Sequence, residues 1–191
     1  MTAGIETNTL LKTIGHHLPI EKPLVSVIQT AKQPVALSQV IGVANANLAI
    51  RQQSDGKIVF TSGAEDLSPS LQEKNGIPSV MPPTFLISEL IDRVTSVLPL
   101  IKNAPIYNLW GGLLDLTPDS LPILDQVPDI ENLFIATGFS GHGFGIAPVV
   151  GQIISDLVIG KEPKFKLKPF KFDRFKKSVS IRKKKQLLLH G

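Results

Sequence analysis

Apolar residues between positions 24 and 60 occur in short runs that are rich in β-branched side chains. Such runs are typical of strands, and they cover residues 24–30, 40–43, 47–53 and 58–61. The dipeptide Asp55-Gly56 separates the last two runs, and an Asp-Gly pair in this position indicates a hairpin. The pattern predicts an antiparallel sheet in which the strand of Arg51 pairs with the strand of Ile58.

From Phe85 onward, apolar residues recur with the spacing of a helix. Eight apolar side chains between Phe85 and Leu98 fall on one broad face, which predicts an amphipathic helix over residues 85–98. Residues 62–83 are rich in Ser, Gly, Glu and Pro and predict a loop. A short helix is also expected over residues 8–14, with Thr7 or Asn8 as its cap and Gly15 as its end.

Two further strands are predicted after the main helix. Residues 106–114 contain the only tryptophan, Trp110, and a proline-rich loop follows them. Residues 133–137 form an uninterrupted apolar run, which is typical of a strand with parallel neighbours on both sides. Residues 1–4 are small and apolar, and we interpret them as the end of another strand.

A glycine-rich loop, residues 138–145, follows the run 133–137. Its four glycines allow tight turns and close approach to a ligand. A helix is expected over residues 147–159, with Pro148 in its first turn and Gly160 at its end. Its unpaired N–H groups and dipole suit a phosphate, an oxyanion or an electron-rich ring edge. The spacing is not that of a Walker A loop, a nucleophile elbow or a dinucleotide fingerprint, so a cofactor loop and a plain tight turn both remain open.

The composition excludes several classes of site. The chain has no cysteine, which excludes disulfides, thiolate zinc sites and cysteine nucleophiles and favours a cytoplasmic protein. The adjacent His16 and His17 point in different directions and are interpreted as turn residues, so no metal site is expected. The sequence contains no apolar run of roughly 18 residues, the length of a membrane helix, and its N-terminus lacks the basic region of a signal peptide.

Charge is distributed unevenly along the chain. Residues 161–191 contain 12 Lys and Arg against 2 acids, whereas residues 1–160 contain 8 against 14. A basic tail is compatible with nucleic-acid binding, but we expect a solvated extension. The phenylalanines and prolines between Pro163 and Phe175 are more typical of a segment that lies along a domain surface.

Residues 136–151, Ala-Thr-Gly-Phe-Ser-Gly-His-Gly-Phe-Gly-Ile-Ala-Pro-Val-Val-Gly, closely resemble the C-terminal flavin-binding segment of the D-amino-acid oxidase and sarcosine oxidase superfamily. The segment from Trp110 to Pro122 resembles the W-x-G…T-P-D-x-x-P motif of that family. Gly160-Lys-Glu-Pro and Phe172-Asp-Arg-Phe resemble its closing motifs. The similarity is greatest to the β subunit of heterotetrameric sarcosine oxidase and extends to about residue 176.

The resemblance implies an α/β protein with an α+β substrate domain. An antiparallel substrate-binding sheet would join the C-terminal strand and helix of a Rossmann-like FAD-binding domain, whose N-terminal βαβ unit with G-x-G-x-x-G is missing here. The resemblance implies four segments. Residues 1–15 would end the FAD-binding half, and residues 16–110 would form the substrate domain. Residues 111–160 would return to the FAD-binding domain, and residues 161–191 would be a basic extension.

The resemblance also implies an activity and a cofactor. The family removes hydride from a C–N bond of an amine or amino acid and transfers it to FAD. Binding would be non-covalent, because Gly112 stands near the position of the cysteine that links flavin in some members. The implied cofactor-binding residues are Gly138, Phe139, Ser140, Gly141, His142, Gly143, Phe144 and Gly145.

The substrate residues are less defined, and no catalytic residue is assigned. Arg51 is a candidate for binding a substrate carboxylate, with a surface ion pair as the alternative. Trp110 is a candidate wall of the active site, with a core position as the alternative. Because most of the FAD contacts would lie in the missing half, the second hypothesis is an inactive remnant or a complementing subunit that binds a partner chain carrying G-x-G-x-x-G.

Overall fold

The computed structural model describes residues 1–34, 37–43, 47–66, 72–74 and 77–175. The chain divides into two compact units, one formed by Met1–Lys22 with residues 114–175 and the other by Pro23–Leu113. The assignment of these units to an FAD-binding half and a substrate domain stays a prediction. The described helices are α1 (Thr7–Lys12), α2 (Thr84–Val97) and α3 (Gly143–Val158). The described strands are β1 (Leu24–Lys32), β2 (Ile41–Gly42), β3 (Leu48–Gln52), β4 (Lys57–Ser62), β5 (Gln72–Lys74), β6 (Ile77–Ser79), β7 (Ile106–Leu113), β8 (Ile123–Gln126) and β9 (Phe134–Thr137).

The second unit is built on an antiparallel sheet with the strand order β2-β3-β4-β1-β7. The predicted hairpin is confirmed, because β3 pairs with β4 and Arg51 lies opposite Val59. Gly56 closes the turn with a φ of 87°, a conformation that favours glycine.

One face of this sheet packs against α2. Leu90 and Val94 of the helix contact a cluster of buried side chains from the strands, Ile28, Leu48, Ile50, Ile58 and Phe60. The predicted helix is confirmed, but its buried face is narrower than expected. Phe85 and Val97, at the two ends of the helix, are exposed, whereas Leu86 and Leu98 beside them are buried.

The predicted loop over residues 62–83 is wrong in part, because β5 and β6 lie within it and pair antiparallel. Strands of three residues show no clear alternation of polar and apolar positions, so the sequence pattern did not reveal them. Residues 67–71 and 75–76 of that segment lie outside the described residues.

In the first unit, β9 pairs antiparallel with β8. The expectation of parallel neighbours on both sides of β9 is therefore wrong on this side. On the other side, the Met1 amine donates to the Phe134 carbonyl, and the Ala136 N–H donates to the Met1 carbonyl at 3.0 Å. This is the hydrogen-bond pattern of a parallel pair. Residues 2–4, however, do not continue a strand.

Helix α1 begins at Thr7, after a 3₁₀ turn over Gly4–Glu6. The predicted side-chain cap is wrong, because both candidates bond elsewhere. The Thr7 hydroxyl hydrogen-bonds the Thr137 hydroxyl at 2.7 Å. The Asn8 side chain donates to the Leu18 carbonyl at 2.7 Å and accepts from the Leu18 N–H at 2.9 Å. Tertiary contacts thus take the side chains that would otherwise cap the helix.

Helix α3 begins at Gly143, four residues earlier than predicted. Pro148 therefore lies inside the helix and not in its first turn, which corrects the sequence prediction. The predicted end is confirmed: Gly160 has a φ of 71°, and the Lys161 N–H donates to the Asp156 carbonyl at 2.8 Å. These are features of a Schellman motif.

The segment after α3 lies along the first unit as far as residue 175, as its composition predicts. Phe172 is buried with Leu11, Leu18 and Ile135, and the His16 ring meets it edge-on at 5.6 Å between centroids. Residues 176–191, which hold six of the 12 basic side chains of the tail, lie outside the described residues.

Candidate functional site

The glycine-rich loop turns sharply between β9 and α3. Gly138, Ser140 and Gly141 have φ values of 71°, 53° and 86°, all in the left-handed region. Glycine adopts this region without a steric penalty, whereas Ser140 needs support from its surroundings. The loop glycines 138 and 141 therefore have the turning role that the sequence predicts.

Asp115 fixes the backbone of this loop. Its carboxylate accepts the Gly138 N–H at 2.7 Å, and its main-chain carbonyl accepts the Ser140 N–H at 3.2 Å. No sign of this role for Asp115 is visible in the sequence, because no local pattern relates an acid to a glycine 23 positions away.

Ser140 is fully buried, and its hydroxyl is used within the protein. It donates to the Gly138 carbonyl at 3.1 Å and accepts the Thr117 N–H at 3.3 Å. These bonds support the unusual φ of Ser140. The Ser140 hydroxyl is therefore used to hold the shape of the loop.

The first turn of α3 forms the open side of the loop. The first N–H groups of a helix have no partner within it and carry the positive end of its dipole. Phe144 is 100% exposed, and a Cβ added to Gly145 would have no neighbour within 4 Å. A planar ring or an anion can therefore approach the amides of this turn.

The open side of the loop has room for a planar ring, and its other side is closed. A Cβ at Gly143 would lie 3.2 Å from the Phe139 Cβ, so the loop closes tightly behind its open side. The N–H groups of the first turn of α3 form a polar edge, and this turn contains no acidic side chain. Hydrogen bonds of Asp115 and Ser140 hold the loop behind that edge. This arrangement can stabilise negative charge on a bound ring.

A turn formed by residues 117–121 packs against the loop and is fixed by Arg174. The Arg174 guanidinium donates to both Asp119 carboxylate oxygens, at 2.9 and 3.0 Å. Burial by itself raises the pKa of Asp119, but hydrogen bonds from Arg174 and from the Leu121 N–H outweigh burial, and the pKa is lowered. Both residues belong to motifs found in the sequence, T-P-D and F-D-R-F, to which the sequence analysis gave no role.

Arg51 and Trp110 lie in the second unit, on β3 and β7. Arg51 is exposed, and it forms no ion pair with any carboxylate among the described residues. Trp110 is 37% exposed, so the core position considered for it is wrong. The role of Trp110 as a wall of the active site stays a prediction.

The strand register places both side chains on the face of the sheet that α2 does not cover. Arg51 lies opposite Val59, and Val59 lies opposite Gln29. Trp110 lies opposite Val27, two residues before Gln29 and hence on the same face. Three strand spacings separate β3 from β7, roughly 14 Å. The sheet thus carries a cation and an aromatic ring on one face.

None of the helices in the described part of the chain combines the length and apolar character needed to cross a membrane.

Comparison with known families gives one match over most of the chain. The model of the DAO family, described as FAD dependent oxidoreductase, matches residues 1–157. Among curated proteins, N-methyl-L-tryptophan oxidase from Salmonella typhimurium is 49% identical over 61 residues, which is 32% of this chain and 16% of the relative.

Solved structures share the fold over a longer range. L-proline dehydrogenase from P. horikoshii matches with a TM-score of 0.77 and 26% identity, over 91% of this chain and 46% of that one. Glycine oxidase from Geobacillus kaustophilus matches with a TM-score of 0.74 and 25% identity, over 90% and 44%. The chain thus spans less than half the length of these two relatives. Because the family model covers residues 1–157, the chain belongs to the DAO family of FAD-dependent oxidoreductases.

Proposed function

We propose that this chain forms the flavin-facing loop and the substrate-binding sheet of an FAD-dependent oxidoreductase that oxidises a C–N bond of an amine or amino acid. The observation that carries the proposal is the glycine-rich loop, with three left-handed residues leading into the open first turn of α3. Membership of a family of FAD-dependent oxidoreductases supports the same cofactor.

Bound FAD would supply the hydride acceptor. The cofactor-binding residues that we propose are those of the loop, from Gly138 to Gly145. Gly138 and Gly141 turn the backbone, and the amides of Gly143, Phe144 and Gly145 face the ring and stabilise negative charge there. The chain contains no cysteine, so we propose that FAD is held non-covalently.

The substrate that we propose is an amino acid or an N-alkyl amino acid. The relatives are named as oxidases or dehydrogenases of N-methyl-L-tryptophan, L-proline and glycine, and these three compounds share a carboxylate. Arg51 offers an exposed guanidinium that can bind a carboxylate in a bidentate manner. Trp110, on the same sheet face, offers apolar surface to the remainder of the substrate.

Flavin retention tests this proposal. The chain is purified with FAD, alone and together with a co-expressed chain that carries the G-x-G-x-x-G half, and free flavin is removed by gel filtration. We expect flavin absorbance in the protein peak, and bleaching when L-proline, glycine or N-methyl amino acids are added without oxygen. Protein that stays colourless in both preparations would contradict the proposal.

The second candidate function is a subunit that complements a partner chain. Two observations favour it. Met1 is a parallel neighbour of β9, but residues 2–4 do not continue that strand. Helix α3 and its C-cap expose the large apolar residues Phe144, Val158 and Ile159. A partner that supplies parallel strands and an apolar surface would cover both. In the flavin experiment, this candidate predicts a stable complex and flavin only in the co-expressed preparation.

The remaining expectations concern surroundings and other ligands. We propose a cytoplasmic location, on the absence of cysteine. Nucleic acid is not the proposed ligand of the tail, because Lys171 and Arg174 are already paired with Asp125 and Asp119. A binding assay at increasing salt tests this, since phosphate contacts weaken steeply with ionic strength.

A further inference from the structure

Arg174 is unusually well held for a residue in a terminal segment. Its side chain is 11% exposed and forms a two-pronged ion pair with Asp119. The same guanidinium donates to the Leu121 carbonyl at 2.7 Å and to the Lys171 carbonyl at 3.2 Å. Its central carbon lies 4.2 Å from the centroid of the Phe175 ring. The N–H donors of the planar guanidinium are thus directed at oxygen atoms of Asp119, Leu121 and Lys171.

The carbonyl of Leu121 links Arg174 to the neighbouring turn. It accepts the Thr117 hydroxyl at 2.9 Å as well as the guanidinium. The Leu121 N–H, in turn, donates to the Asp119 carboxylate at 3.1 Å. Arg174 therefore holds the middle and the end of the turn 117–121, through the Asp119 carboxylate and the Leu121 carbonyl.

Thr117 carries this restraint into the glycine-rich loop. Its hydroxyl and its N–H both lie 3.3 Å from the Ser140 hydroxyl. Its methyl group lies where a side chain on Gly138 would stand, 2.4 Å from the Cβ position. Thr117 therefore contacts two of the loop residues with left-handed backbones, Gly138 and Ser140.

We propose that Arg174 is a positioning residue for the glycine-rich loop, acting through the turn 117–121. The loop holds Ser140 in the left-handed region, and a residue other than glycine keeps this conformation only where neighbouring groups enforce it. A charge-assisted fork to Asp119 is a strong and directional restraint. What the loop binds rests on the proposed function, whereas its positioning by Arg174 does not.

The competing explanation is that the ion pairs of the C-terminal segment only attach this segment to the first unit. Lys171 provides the matched control. Lys171 lies three residues before Arg174 and pairs with Asp125 at 2.8 Å. Asp125 belongs to β8 and not to the turn 117–121. Loss of Lys171 therefore loosens the same segment without touching the path to the loop.

Amide hydrogen exchange of the full chain, without flavin, separates the two explanations. In Arg174→Ala, we expect the Gly138 and Ser140 amides to exchange about tenfold faster than in the wild type, because Thr117 restrains the loop less and the hydrogen bonds from these amides to Asp115 open more often. In Lys171→Ala, these two amides should exchange as in the wild type. Arg174→Lys keeps the charge but not the fork, and an intermediate rate is expected.

Two outcomes would overturn the proposal: unchanged loop exchange in Arg174→Ala, or an equal increase at every amide of the first unit. If Arg174→Ala does not fold, Asp119→Asn serves as the second variant. This variant removes the same ion pair and keeps the shape of the side chain. We expect the same loop-specific increase in the rate of amide exchange. Flavin retention is measured separately. Faster loop exchange in a chain that never binds flavin would leave the positioning role intact and would contradict only the proposed function.

Discussion

The methyl group of Thr117 occupies the space that a side chain on Gly138 would need, since the Cβ position of Gly138 is 2.4 Å from the Thr117 Cγ2. Gly138 also has a φ of 71°. We expect Gly138→Ala to lower the free energy of unfolding by about 2–4 kcal/mol, from backbone strain and overpacking together. Urea denaturation of the wild type and the variant measures this loss.

Two companion variants separate the causes. Thr117→Ser in the Gly138→Ala background removes the methyl group and should recover the overpacking part of the loss, leaving about 1–2 kcal/mol of strain. Gly151, in α3, has no neighbour within 4 Å of its Cβ position. Gly151→Ala should therefore stabilise the protein by about 0.5–1 kcal/mol. A Gly138→Ala variant as stable as Gly151→Ala would contradict this account of the loop.

Thr7 and Thr137 share one buried hydrogen bond, at 2.7 Å between hydroxyl oxygens. Thr7→Val leaves the Thr137 hydroxyl without its partner, and we expect a loss of about 1–3 kcal/mol in unfolding free energy. The double variant with Thr137→Val should cost less than the sum of the two single losses. Thr13→Val, at the exposed end of α1, is the control and should change stability by less than about 0.5 kcal/mol. Additive single losses would show that the two hydroxyls do not stabilise each other.

Asp119 makes stability depend on pH in a predictable direction. Its pKa is lowered in the folded protein, so its stabilising effect is fully present above the ordinary aspartate pKa of about 3.9. The effect is lost as the pH falls through the lowered value. We therefore expect the wild type to be more stable than Asp119→Asn at pH 6–7, with a difference that shrinks below about pH 4.

Urea denaturation between pH 3 and 7 measures that difference, with Asp173→Asn as the control. Asp173 is exposed, and it has no ion-pair partner among the described residues. Because Asp173 has no such ion pair to lose, its replacement should change the free energy of unfolding by less than about 0.5 kcal/mol. A gap between the wild type and Asp119→Asn that is constant with pH would show that the pair with Arg174 does not depend on the charge of Asp119.

Most of the elements that the sequence predicted are long enough to show a period, whereas β2 and β9, with two and four residues, were indicated by their apolar runs. The strand alternation around Arg51, the Asp55-Gly56 turn and the spacing between Phe85 and Leu98 each repeat a local rule, and the structure confirms them. Strands β5, β6 and β8 have three or four residues. They exist because a partner strand pairs with them, so no local rule could indicate them.

The site shows the same limit. The glycines of the loop were visible in the sequence, but helix α3 starts within them, at Gly143, despite the low helix propensity of glycine. The support of the loop was not visible at all. Arg174 and Asp119 are 55 residues apart in sequence, and only the folded chain brings them together.

Gly145 offers a test of flavin binding that leaves the fold unchanged. It lies in the first turn of α3, is exposed, and has open space at its Cβ position. Gly145→Leu should therefore keep or slightly raise stability, but its side chain would stand where the ring is proposed to lie. We expect FAD affinity to fall by at least about tenfold, measured by titration in the preparation that retains flavin. Gly151→Leu, two turns further along the helix, should bind FAD as the wild type does, and equal affinity in both variants would exclude the first turn of α3 from the site.

Arg51 offers the corresponding test for the substrate. If its guanidinium binds the substrate carboxylate, Arg51→Gln in the flavin-bound preparation should raise KM for an amino acid by about 10- to 100-fold, with a small change in kcat. The KM for an amine without a carboxylate should not change, because such a substrate cannot form the interaction that the variant loses. Arg93→Gln is the control, since Arg93 lies on α2 and pairs with Glu89 and Glu65. A KM that rises equally for both kinds of substrate, or equally in both variants, would remove Arg51 from the carboxylate site and return it to the role of a surface arginine.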